Sequence, residues 1–262
     1  MNLSISNIAW DLEQDRKVYE LMIKYGFSGL EIAPTRIFPE KPYDKLKDAG
    51  EWAENLEQKY GFSVPSMQSI WYGRQEKIFG TKEELDTLIE YTKKAIDFAV
   101  TINCKNLVFG CPRNRNIPDG ADPKTGVRFF KEIGDYAADK GTVVGLEANP
   151  AIYNTNYIND TGIAIDLIRK IDSKGILLNL DLGTMIQNGE SVEELVGNVK
   201  IINHIHISEP GLKPIEEREI HSELKHILEN ENYQGFISIE MGKCDDIQVI
   251  EEKMEYVRRI FG

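Results

Sequence analysis

Eight short runs rich in apolar and β-branched residues recur along the chain: LSISNIAW, FSGLEIAP, FSVPSMQSIW, KNLVFGCP, TVVGLEANP, ILLNLDLG, IINHIHIS and GFISIEMG. Seven helical segments separate them and another follows the last. In EELDTLIEYTKKAIDFAV, for example, Leu85, Leu88, Ile89, Thr92, Ile96 and Ala99 fall at helical spacing. Regular alternation of this kind implies a parallel sheet covered by helices. Eight such units close into a (β/α)8 TIM barrel, which usually takes roughly 250 residues; the chain has 262. No linker or low-complexity run divides it, so residues 1–262 are expected to form one domain. An open doubly wound sheet is the competing architecture, but its GxGxxG loop after the first strand is missing.

Local signals agree with this alternation. Gly26, Gly61, Gly141 and Gly175 each stand at or past the end of a helical run, where a C-cap belongs. Asp160-Thr161 and Ser191 precede helical runs, as N-caps do. The last helical segment, CDDIQVIEEKMEYVRRIFG, is acidic at its start and basic at its end, which suits the helix macrodipole.

Composition excludes several classes. A hydrophobic content of 41% with 28% charged residues is that of a globular chain. No uncharged apolar stretch is long enough to span a membrane. The N-terminus MNLSISNIAWDLEQD lacks the basic start of a signal peptide, so a cytoplasmic location is expected. Cys104, Cys111 and Cys244 form no CxxC motif and suit a reducing compartment without disulfides. The net charge of −12 opposes nucleic acid, and the only compact basic cluster is Arg113 with Arg115.

Active sites of TIM barrels lie at the C-terminal ends of the strands. Here the fifth run ends in Glu147-Ala-Asn149-Pro150, the sixth at Asp181, and the eighth at Glu240; the seventh holds His204 and His206 before Ser208-Glu209-Pro210. Three carboxylates buried side by side cost several kcal/mol per ion unless a cation offsets them. Together with an imidazole they suit one divalent metal ion: Mn or Mg by hardness, with Co, Fe or Zn tolerated. Alternation puts His204 and His206 on one face, so one is ligand and the other supports it or packs in the core.

The succession GLEANP, LNLDLG, HIHISEP and ISIEMG resembles the xylose isomerase-like TIM barrel superfamily of sugar isomerases and epimerases, over essentially the whole chain. The resemblance implies the metal ligands Glu147, Asp181, His206 and Glu240 and an H-x-x-E motif from His206 to Glu209. Glu147 and Glu240, from strands on either side of the metal, are the expected catalytic pair. One position departs from it. Many members carry a histidine three residues after the aspartate, where this chain has Thr184.

The expected function is therefore metal-dependent isomerisation or epimerisation of a sugar or sugar phosphate. The alternatives are an inosose dehydratase-like lyase and a non-catalytic sugar-binding barrel. The expected partner is a small carbohydrate, with neither nucleic acid nor membrane, and related barrels form homo-oligomers. Trp10, Trp71 and Tyr72 follow the first and third runs, as a wall for a sugar or as packing. Asn149 and Asn156 suit hydroxyl binding or turn capping, and Arg113 and Arg115 suit an anionic substituent. Arg218 lies in the loop beyond Glu209, within reach of a substrate, and His221 reads as a helix cap or loop anchor.

Overall fold

A computed structural model describes residues 1–262. Eight strands form the wall of a barrel: β1 (Asn2–Ser6), β2 (Gly29–Glu31), β3 (Ser66–Met67), β4 (Asn106–Phe109), β5 (Val144–Glu147), β6 (Ile176–Asp181), β7 (Ile202–Ile207) and β8 (Phe236–Ile239). All pairings are parallel, in the order β2-β1-β8-β7-β6-β5-β4-β3. Bridges Gly29–Ser63 and Ile32–Met67 bring β2 against β3 and close the ring. The fold is a (β/α)8 TIM barrel.

Nine helices surround it: α1 (Asp15–Tyr25), α2 (Pro34–Ile37), α3 (Leu46–Tyr60), α4 (Lys82–Thr101), α5 (Lys124–Lys140), α6 (Thr161–Ile171), α7 (Leu182–Asn188), α8 (Glu219–Asn230) and α9 (Ile247–Phe261). None is long and apolar enough to cross a membrane. The helix of the fourth run, α4, starts on a capping box in which Thr81 and Glu84 each accept from the other's main-chain N–H. It buries Leu88, Ile89, Thr92, Ile96 and Ala99 against the wall. Leu85, read from the sequence as part of that stripe, packs at its edge and is partly exposed.

Gly26, Gly61 and Gly141 end α1, α3 and α5 in the left-handed conformation. Gly175 does not end a helix. Asp172 caps α6 with φ 51°, and Gly175 instead lies so close to the α5 backbone that a Cβ would stand 2.0 Å from the Gly134 carbonyl oxygen. That glycine serves helix–strand contact rather than capping. Asp160 caps α6 as expected, while Ser191 caps only a 3-10 turn at Val192–Leu195. The third strand is the shortest, because Pro65 has no N–H to give a ladder.

The strands are less uniformly apolar than their runs suggest. Ser4, Ser6, Glu31, Asn106, Asn179, His204, His206 and Ser238 are all buried. Asn106 Nδ2 donates to Ser66 Oγ at 3.0 Å and to Asn179 Oδ1 at 3.1 Å. Part of the inner layer is thus a connected polar network, while Ser4 Oγ, Ser238 Oγ and His204 Nε2 have no hydrogen-bond partner. The three cysteines are free, and burial pushes the thiols of Cys104 and Cys111 up to about 12.

Candidate active site

The parallel register puts Asp181 beside His206 and sets Glu147 and Glu240 two residues out of step with their neighbours. Glu147 pairs with Asn179, Asp181 with His206, and His206 with Ser238. Ligand atoms of Glu147, Asp181 and His206 all lie within 4.8 Å of one another. His206 Nδ1 stands 3.2 Å from Glu147 Oε2 and 3.2 Å from Glu240 Oε2. Glu147, Asp181 and His206 therefore converge, and Glu240 joins them through its contact with His206.

Two of the three carboxylates are held from behind. Glu147 accepts from Asn149 Nδ2 on one oxygen (3.0 Å) and from Asn179 Nδ2 on the other (2.8 Å). Asp181 Oδ1 accepts from Ser208 Oγ at 2.7 Å and from the Thr184 N–H at 2.9 Å, leaving Oδ2 without a hydrogen bond. Gly110, at the end of β4, makes room: a Cβ there would stand 2.8 Å from Glu147 Oε1.

Electrostatics reflect the crowding. Burial, then the charges of Glu147 and Glu240, push the Asp181 carboxyl up to about 7. Burial also raises Glu240, against the pull of the His206 charge. Burial alone would lower His206, but Glu240 and Glu31 outweigh it and hold the imidazole well above its ordinary value. The imidazolium, with the Arg115 guanidinium behind Glu147, is little counter-charge for so many carboxylates, so the donor set fits a divalent cation well.

Glu31 did not emerge from the sequence, yet it belongs to this cluster. It is fully buried, with Oε2 at 3.0 Å from His206 Nε2 and 2.9 Å from His204 Nε2. The His204 contact is off the direction a hydrogen bond needs, so His206 is the bonded partner. Burial would raise Glu31, but the two imidazoles more than offset it and hold the carboxyl well below the usual range. A signal did exist: Gly29-Leu30-Glu31 and Gly145-Leu146-Glu147 are the same tripeptide at the ends of two strands.

A cleft of about 480 Å³ opens above Glu147 and Glu240. Trp71, Arg113 and Asn149 line it. The Trp71 indole is edge-on to Phe109 at 4.7 Å and donates to Thr92 Oγ1 at 2.9 Å. Arg113 is exposed at the mouth, and its guanidinium has no carboxylate within salt-bridge distance.

Arg115 corrects the reading of that pair as anion binders. It is fully buried, donating from Nη1 to the Glu147 carbonyl (2.7 Å) and from Nη2 to Asn149 Oδ1 (3.0 Å) and the Ile158 carbonyl (3.1 Å). Burial lowers it to about 10.

Tyr72 is exposed and also lines the cleft. The remaining residues lie outside its lining. Trp10 is buried and donates to Asp15 Oδ1 at 2.7 Å. Glu209 and Arg218 grip each other in a two-pronged ion pair, both contacts at 2.7 Å. Asn156 ties its loop to Ile117 and Asn116. His221 is anchored to Tyr256 Oη at 2.7 Å, and burial lowers it to about 4. The Thr184 hydroxyl donates to the Ala148 carbonyl at 2.9 Å.

Residues 19–260 match the model of the Xylose isomerase-like TIM barrel family. The chain belongs to that family. Among solved structures it is similar to the 3-keto-D-glucoside 4-epimerase YcjR from E. coli, with 18% identity, a TM-score of 0.75, and 99% of each chain covered. It is also similar to a D-psicose 3-epimerase from Clostridium cellulolyticum H10, with 15% identity and a TM-score of 0.77, over 100% of this chain and 99% of that one. A probable 3-DHS dehydratase, AsbF from Bacillus anthracis, matches with 15% identity and a TM-score of 0.72, over 99% and 98%. At these identities the likeness is one of fold. No curated protein matches the chain in sequence.

Proposed function

We propose that this barrel is a divalent-metal-dependent isomerase or epimerase of a sugar or sugar phosphate, with Glu147, Asp181, His206 and Glu240 holding the ion. The convergence of three carboxylates on one imidazole at the strand ends carries this reading. When bound, such an ion supplies Lewis acidity that makes a C–H beside a carbonyl easier to ionise. Mn or Mg suits the oxygen-rich set by hardness.

The protein's own residues do the proton work. Glu147 and Glu240 come from different strands and both face the cleft. One takes the proton and the other returns it, to the opposite face for epimerisation or to the neighbouring carbon for isomerisation. Asn149 and Asn179 fix the Glu147 carboxylate, while burial keeps Glu240 ready to carry a proton. Trp71 supplies an apolar wall, and Arg113 at the mouth suits an anionic substituent.

The test is metal content of the purified protein, followed by a screen of ketoses, aldoses and their phosphates for solvent deuterium entering carbon. About one ion per chain, with deuterium at carbon, supports the reading. Loss of water from an inosose-type substrate would make the enzyme a lyase built on the same site. Failure to bind any divalent ion at millimolar supply would leave a non-catalytic sugar-binding barrel as the better account.

A further inference from the structure

We infer that Glu31 is a positioning residue for the metal centre: its carboxylate accepts from His206 Nε2, so that Nδ1, which faces Glu147 and Glu240, is the nitrogen left for a metal ion in place of its proton. This rests on the metal-centre reading above and concerns a residue outside the ligand set.

The geometry is specific. Glu31 leaves the end of β2, with β1 and β8 between it and β7 in the ring, and its Oε2 meets His206 Nε2 at 3.0 Å. The other ring nitrogen, Nδ1, faces Glu147 Oε2 and Glu240 Oε2 at 3.2 Å each. Glu31 is itself braced: Gln68 Nε2 donates to its Oε1 at 3.1 Å and to Ser6 Oγ at 2.8 Å. A neutral imidazole has one donor and one acceptor nitrogen, and an ionised carboxylate can only accept. Glu31 therefore keeps the proton on Nε2 when a metal ion replaces the one on Nδ1, so that the lone pair uncovered there points at the other ligands.

The only cationic partners of this acid are imidazoles. No lysine or arginine pairs with it, and a fully buried carboxylate costs several kcal/mol to desolvate. An apolar or amide side chain would fill the same space at lower cost. What the carboxylate adds is orientation and basicity of a ligating imidazole, a role usually worth 10–100-fold in metal affinity.

The experiment titrates wild type, Glu31→Gln and Glu31→Asp with cobalt(II), followed by visible absorption, beside melting curves of the metal-free proteins. We expect Glu31→Gln to stay folded, to bind cobalt about 10–100-fold more weakly, and to show a shifted absorption band. Glu31→Asp keeps the charge and should recover part of the affinity. Wild-type affinity and spectrum in Glu31→Gln would overturn the inference while leaving the metal centre intact. If wild type itself binds no cobalt, the metal-centre reading fails and takes the inference with it. Should Glu31→Gln not fold, 15N histidine spectra of zinc-loaded wild type decide: a proton on His206 Nε2 supports the assignment, and one on Nδ1 overturns it.

Discussion

Arg115 donates from Nη1 to the main-chain carbonyl of Glu147 at 2.7 Å, so a buried cation braces the backbone of a candidate ligand from behind. Its second amino group satisfies Asn149 Oδ1 and the Ile158 carbonyl. Replacing it by Met would leave three acceptors without their donor, at a cost of about 3 kcal/mol. For a chain of this size that lowers the melting temperature by about 6–12 °C. Arg115→Lys should rescue little, because one ammonium cannot reproduce the planar fork. Arg113→Ala serves as control: it should leave the melting temperature unchanged and weaken only phosphorylated or carboxylated substrates. Equal melting temperatures for Arg115→Met and wild type would show that the buried guanidinium is not a brace.

Stability of the metal-free protein should fall as pH rises from about 6.5 to 8. Asp181 is raised by burial and by its acidic neighbours, from 3.8 to about 7. A raised carboxyl contributes fully below its unfolded value, and that contribution is lost as pH climbs to the folded one. His206, also raised, contributes fully below 6.5 and loses its share as pH climbs further. Glu31 is lowered from 4.5, so its contribution is complete before this window. His204 and His221 are lowered from 6.5 and oppose the fall until about pH 7.5, so the fall steepens across the window. A bound cation takes over the role of both protons. Melting curves with and without metal should therefore diverge as pH rises. Parallel curves would mean that the cluster does not carry the charges assigned to it.

How far the sequence revealed this site depends on what kind of residue is asked about. Glu147, Asp181 and Glu240 could be found because each closes an apolar run, and a barrel brings strand ends together whatever the loops do. Glu31 closes a run too, but its partner His206 lies 175 positions away, and no local spacing relates the two. The Arg113–Arg115 pair was misleading for a different reason. Both are charged and sit in one loop, yet the turn at Cys111, with φ 43°, is followed by one guanidinium that points outward and one that is swallowed. Charge and position do not encode burial; packing across several elements does. Gly175 shows the same limit, since a glycine near a helix end reads as a cap until its neighbour Gly134 is seen.

Glu147→Gln and Glu240→Gln should each abolish most solvent deuterium entry into a reactive sugar, by about 10²–10⁴-fold. Both substitutions also weaken the metal site, so rates must be compared at saturating metal. If one carboxylate removes the proton and the other returns it, the two variants should differ in kind. One should block exchange altogether, and the other should still exchange without completing product. Full activity in either variant would remove that residue from the proton path.

Gly110→Ala isolates the space beside the candidate ligands from the stability of the barrel. The added Cβ would stand 2.8 Å from Glu147 Oε1, a contact that side-chain rotation of Glu147 can relieve. That rotation breaks the bond from Asn149 Nδ2 and turns the carboxylate away from His206 Nδ1. Gly110 has no left-handed backbone demand, so the substitution carries no conformational penalty there. The expected result is a metal-free melting temperature within a few degrees of wild type and clearly weaker metal binding. Isothermal titration with manganese, beside the melting curve, reads both quantities. A stable variant with unchanged manganese affinity would show that the orientation of Glu147 seen here is not the one that holds the ion.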